Sequence, residues 1–155
     1  MLQLTKRTEY GLIALTHLAT REGAVVSVRE VAEHYSVPRR LLAEVLKDLA
    51  RTGHVVSHRG ATGGYQLSRP AEQTTLGEVV AALEGQPSIA SCESLGAFEG
   101  GGCDVEPRCP IRSPIQRIRS GIWGLMQRTT LRDLADPSFA LDTPPPPSFP
   151  VPNSA

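Results

Sequence analysis

VPRRLLAEVLKDLARTGHVVSHRGATGGYQLSRP occupies residues 37–70, and the fold turns on it. Val37-Pro38 starts a helix, because proline in a first turn lacks only an N–H that would have had no partner. Leu41, Leu42, Val45, Leu46 and Leu49 then recur at helical spacing as one apolar stripe, and Gly53 ends the helix. Two short apolar pieces follow, HVVSH and YQLSR, on either side of RGATGG. Val55, Val56, Tyr65 and Leu67 read as hairpin residues, with the glycines in the turn between them.

Upstream, Thr8 to about Thr20 reads as a first helix, with Leu12, Leu15 and Ala19 on one face. Ser27 opens SVREVAEHY with Glu30 three positions on, a capping-box signature. It predicts a short second helix ending near His34. Helix, helix, short turn, helix, hairpin is the order of a winged helix-turn-helix, expected over residues 1–84. Thr75 and Glu78 cap a further helix carrying Leu76, Val79, Val80 and Leu83. Residues 85–110 hold the cysteines. Ser113-Pro114 then opens a long helix in which Ile115, Ile118, Ile122 and Leu125 repeat at spacings of 3, 4 and 3. So narrow a stripe is the pattern of a seam with a partner helix, widened by Trp123 and Met126, or of packing on the chain's own domain. Residues 111–136 read as a dimerisation helix with a C-terminal cap, and 137–155, with DTPPPPSFPVP, as a disordered tail. The expected class is mainly α with a small β wing: a winged helix-turn-helix plus a long C-terminal dimerisation helix.

The zero net charge hides an asymmetry. Residues 1–70 carry ten Lys/Arg against six Asp/Glu, and residues 71–109 carry one against seven. A basic front and an acidic middle fit a surface that meets a polyanion and a part that does not. No segment reaches the ~18–20 apolar residues of a membrane span. Lys6 and Arg7 before GLIALTHLA resemble the start of a signal peptide, but Glu9, Thr16 and His17 interrupt the run. The expectation is a cytoplasmic protein with no membrane partner, where thiols serve metal or redox chemistry rather than structural disulfides.

A helix about 12 Å across fits the major groove of double-stranded DNA, and its first turn can touch base edges. Here that turn carries Pro38, Arg39 and Arg40, and arginine is the commonest reader of guanine. The hairpin brings His58 and Arg59 beside Gly60, Gly63, Gly64 and Tyr65, where backbone can approach phosphate or the minor groove. Lys6, Arg7 and Arg29 could neutralise further phosphates. No nucleophile–base pair or phosphate loop points to an enzyme.

Cys92, Cys103 and Cys109 lie in SCESLGAFEGGGCDVEPRCP with the spacing C-x10-C-x5-C. Zinc fingers and ribbons use CxxC pairs, which are absent. Three thiolates still suit zinc with a fourth ligand, an iron–sulfur cluster, or a metal-free thiol switch. Cys109-Pro110 matches the C-P ending of ferredoxin motifs.

LTKRTEYGLIAL, the stretch from Val37 to Pro70, TLGEVVAALEG before three cysteines, and TTLRDLAD together resemble the IscR/NsrR-type family of winged-helix regulators, over about residues 1–136. The resemblance implies a homodimeric repressor on palindromic operators. It implies a 4Fe-4S or 2Fe-2S cluster on Cys92, Cys103 and Cys109 that responds to nitric oxide, redox stress or cluster supply. RGATGGY is similar to the family's wing. Two departures stand out. The first cysteine gap, ten residues, is longer than in many relatives, and Arg112 replaces the histidine found three places after the last cysteine of the cluster-assembly regulators. The fourth ligand must then come from elsewhere. Glu9 matches an acidic residue that nitric-oxide-sensing relatives lend from the partner subunit, and His34 matches a second-helix histidine of a redox-sensing branch. Read from the residues alone, Glu9 is a helix N-terminal charge favoured by the dipole, and His34 an exposed helix end. Rival classes are a zinc- or thiol-based regulator without a cluster, and a cluster carrier or electron-transfer protein.

Overall fold

Hydroxyl caps set most of the helix starts. Thr5, Ser27, Thr75 and Thr130 each accept a hydrogen bond from the backbone N–H three residues on. The computed structural model describes residues 3–85 and 108–140. Within them lie α1 (Lys6–Thr20), α2 (Val28–Tyr35), α3 (Arg39–Arg51), β1 (Val55–His58), β2 (Gly64–Leu67), a 3-10 turn (Ala71–Gln73), α4 (Leu76–Glu84), α5 (Arg112–Arg128) and α6 (Leu131–Ala135). The class is the expected one: the described residues are mostly helical, with a two-stranded antiparallel sheet.

Several boundaries differ from expectation, each for a local reason. α1 starts at Lys6 rather than Thr8, because Thr5 is its cap. Pro38 caps α3 and Arg39 is its first helical residue. Ser113 lies inside α5, which begins at Arg112. Gly64 belongs to β2, paired with His58, and not to the turn. The box expected at Ser27 is half formed: Ser27 takes the Glu30 N–H at 3.1 Å, but the Glu30 carboxylate goes to Arg21 instead. The proline-rich tail beyond residue 140, and Cys92 and Cys103, lie outside the described residues.

The core is aliphatic, as the scarcity of aromatics requires. Leu15, Leu42, Val45, Leu49 and Val79 are wholly buried where α1, α3 and α4 meet. Leu131 of α6 is also wholly buried, with Leu134 and Ala135 packed behind it. The chain therefore returns from α5 and docks α6 on the front domain. Leu131 N–H donates to the Thr74 carbonyl at 2.9 Å, and Leu76 N–H to Thr129 at 2.8 Å, so the return is stitched by backbone. Leu131→Ala is expected to cost about 2–5 kcal/mol. The check is a lower urea midpoint at an unchanged m value.

Candidate nucleic-acid interface

The site starts from one backbone pairing. Val26 N–H donates to Tyr65 at 2.9 Å, and Tyr65 N–H returns to Val26 at 2.8 Å. This bridge lays the lead-in to α2 along the outside of β2, so the start of α2 stands beside the wing. Gly64 makes the approach possible: a Cβ there would lie 2.2 Å from the Val26 carbonyl oxygen. Gly64→Ala is expected to push Val26 off the wing at a cost of about 1–3 kcal/mol. Faster hydrogen exchange at the Tyr65 amide is the readout, and unchanged exchange would count against the bridge. At the wing tip Gly60 has φ +114°, a conformation that L side chains rarely adopt.

The three parts enclose an open cleft. Ser27, Val28 and Arg29 line it from α2, Arg39 from α3, and Ser57 to Ala61 with Gly63, Gly64 and Tyr65 from the wing. Arg29, Arg39 and Arg59 supply three guanidinium groups and His58 an imidazole, with no carboxylate among the lining residues. Such a concavity focuses a positive potential. Arg29 holds Glu33 at 2.7 Å, an exposed pair that a phosphate could exchange at little cost. Pro38 gives α3 no side-chain cap, and among the described residues its leading N–H groups are left to an outside acceptor. Sequence read Ser27 only as a helix cap and did not mark Ser57, and neither was expected at the site, because only the Val26–Tyr65 bridge brings them together.

The other basic residues sit elsewhere. Arg40 is 95% exposed on the outer side of α3, 3.5 Å from Glu44. Lys6 pairs with Glu9 at 2.5 Å, and Arg7 with Asp48 of α3. Asp48 follows Arg39 by nine positions, or ~13 Å along the helix. Arg7 thus stands at the far end of α3 from the cleft.

A winged fold with a basic cleft between helix starts and wing is the shape of a DNA reader. The sequence model of the Rrf2 family, described as an iron-dependent transcriptional regulator, matches residues 4–137. The chain belongs to the Rrf2 family. Three solved structures illustrate the likeness. CymR, the global cysteine regulator of B. subtilis, is 29% identical with a TM-score of 0.69, over 87% of this chain and 97% of its own. The oxidized form of Staphylococcus aureus CymR is 29% identical with a TM-score of 0.67, over 92% and 100%. IscR of T. potens is 25% identical with a TM-score of 0.65, over 86% and 85%. Rrf2 proteins are transcriptional regulators rather than enzymes; they bind DNA and typically act as dimers.

In this Rrf2 chain the described cysteine, Cys109, is a partly buried free thiol, three residues ahead of α5. Among the described residues no group of three or more His, Cys, Asp and Glu forms a metal cage. Glu9 lies in the first turn of α1, its side chain 35% exposed. That turn is tied to the end of α4: the Thr5 N–H and hydroxyl donate to one Glu84 oxygen at 2.8 and 2.6 Å. Burial raises the Glu84 carboxyl, but bonds from Thr5 and Thr8 outweigh it and hold it below its ordinary value. The Glu9 turn therefore stands beside the point where the cysteine segment leaves α4. His34 is exposed near the end of α2, its ring 4.6 Å from that of Tyr35.

On α5, Ile115, Ile122 and Leu125 are half-buried and Ile118 is 54% exposed. No residue of this helix is fully buried by its own chain. No described helix is long and apolar enough to cross a membrane.

Proposed function

We propose that this Rrf2 protein is a repressor that binds a palindromic operator as a homodimer and is controlled by an iron–sulfur cluster. The observation that carries the DNA reading is the carboxylate-free cleft shared by Arg29, Arg39, His58 and Arg59. The wing meets phosphate or the minor groove, and the first turn of α3 meets base edges. Arg59→Ala is expected to weaken binding on every sequence and to lower the salt slope by about 0.9 for each phosphate no longer neutralised. Arg39→Ala or Arg40→Ala is expected instead to relax specificity at one base pair, at about 1–3 kcal/mol. Gel shifts on the protein's own promoter across a salt series measure both. If Arg59→Ala and Arg39→Ala both leave affinity unchanged, the cleft is not the DNA site; Arg40, outside the cleft, tests only the first turn of α3.

The dimer reading rests on the stripe of α5, which its own chain leaves half open. The cluster reading rests on donor chemistry. Cys92, Cys103 and Cys109 supply three thiolates, and among the described residues the Cys109 thiol is in no disulfide. Glu9 of the partner subunit would add a carboxylate, a harder ligand than thiolate, once it exchanged Lys6 for the metal. Bound there, the cluster would supply a centre reactive to nitric oxide and oxidants. Cys109 stands just ahead of the dimer helix, so holding or releasing this thiol acts directly on α5.

A second reading, a thiol switch without metal, is favoured by the free, partly exposed Cys109 and by the oxidized form known for a CymR relative. Anaerobic purification separates the two. A brown, sulfide-containing protein supports the cluster, and a colourless protein whose DNA affinity changes on mild oxidation supports the thiol switch.

A further inference from the structure

A buried histidine joins α1 to α2. His17, in the last turn of α1, is 5% exposed. Its Nδ1 stands 3.1 Å from the Tyr35 hydroxyl, at the C-terminal end of α2. Its Nε2 faces the Glu30 carboxylate, in the first turn of α2, at 3.6 Å. That Nε2 is buried and has no hydrogen-bond partner. One imidazole thus addresses both ends of an eight-residue helix. A single tautomer suits both: the Tyr35 hydroxyl donates to Nδ1, and Nε2–H points at Glu30. Arg21, the C-cap residue just past α1, holds the same Glu30 oxygen.

Packing alone does not account for a histidine here. A leucine would fill the space without leaving a buried donor short of its acceptor, which costs free energy. Besides the Arg21 pair and the Val26–Tyr65 bridge at its lead-in, the anchor of α2 is apolar. Val31 and Ala32 sit in the core, and such contacts are non-directional, so the helix can rock on them. Polar contacts at its two ends fix the tilt.

We propose that His17 is a positioning residue for DNA binding: it sets the pitch of α2 against α1, and so fixes where Ser27 and Arg29 stand in the cleft. Arg29 precedes Glu30 in the chain, so any shift of Glu30 relative to His17 carries the Arg29 backbone with it. The proposal rests on the DNA reading of the cleft and adds the residue that aligns one of its walls.

The test is a double-mutant cycle on the full chain. Affinity for a mixed-sequence DNA duplex is measured across a salt series, with thermal unfolding in parallel. In the wild-type background Arg29→Ala is expected to weaken binding and lower the salt slope by about one. In the His17→Leu or Tyr35→Phe background the loss on Arg29→Ala is expected to be about fivefold smaller. Tyr35 is 40% exposed, so Tyr35→Phe leaves the core intact if His17→Leu folds poorly. His17→Asn, whose Oδ1 takes the place of Nδ1, is expected to restore the Arg29 effect. A lower Tm with an undiminished Arg29 effect overturns the positioning role and leaves only a structural one. A wild type that binds DNA with purely additive losses defeats this proposal alone; a wild type with no salt-dependent binding defeats the cleft reading as well.

Discussion

Ile118→Glu is expected to give a folded monomer that has lost nearly all operator affinity. In the single chain Ile118 is 54% exposed and no residue of α5 is fully buried, so a glutamate there disturbs no intrachain core. In the proposed dimer the same carboxylate is sealed between two copies of α5, at a cost of several kcal/mol per subunit, roughly 3–5. Sedimentation and thermal unfolding read the two effects separately: mass halves while Tm at fixed concentration falls only by the missing association. A monomer presents one reading head to one half-site. Without the linkage between heads, affinity is expected to fall by about 10²–10⁴. A mutant that stays dimeric shows that the interface lies elsewhere.

The second large effect concerns the cysteines. Cys92→Ala, Cys103→Ala and Cys109→Ala are each expected to abolish retention of iron and sulfide after anaerobic reconstitution, since a cluster bound by three thiolates leaves none spare. Glu9→Ala is expected to keep part of the iron and to change the visible spectrum and the response to nitric oxide, because it alters one ligand only. Holo and apo protein are expected to differ about tenfold or more in operator affinity, a coupling of about 1.4 kcal/mol. Equal affinity in the two forms sinks the switch. Full cluster in any one cysteine mutant removes that residue from the ligand set.

Local chemistry carried much of the fold. The α3 stripe of Leu42, Val45, Leu46 and Leu49 is buried as its period requires. The capping box at Thr75 and Glu78 is formed, and the hairpin lies where β-branched and glycine residues placed it. The differences are also local in kind. Thr5 is a better cap than any residue nearer Thr8, and Thr130 with Asp133 forms a second box whose short helix the apolar pattern does not announce. The interface was less legible. Arg39, His58 and Arg59 stand out as basic groups at recognisable elements, whereas Ser27 reads only as a helix cap and Ser57 and His17 carry no mark of the site.

The sequence by itself determined what depends on neighbours a few positions apart: helix periods, caps, the hairpin turn, and a charge split between basic front and acidic middle. Those interactions are short in range, so a window of residues contains all their partners. The tertiary structure alone decided what depends on distant pairs. Val26 meets Tyr65 across thirty-nine positions and thereby closes the cleft, and Leu131 returns to fill the core beside α1. It also turned Arg7 toward Asp48 and set His17 between Glu30 and Tyr35. Each is one of many pairings that composition and period allow equally. The choice among them is made only when the apolar faces of all the helices are buried at once.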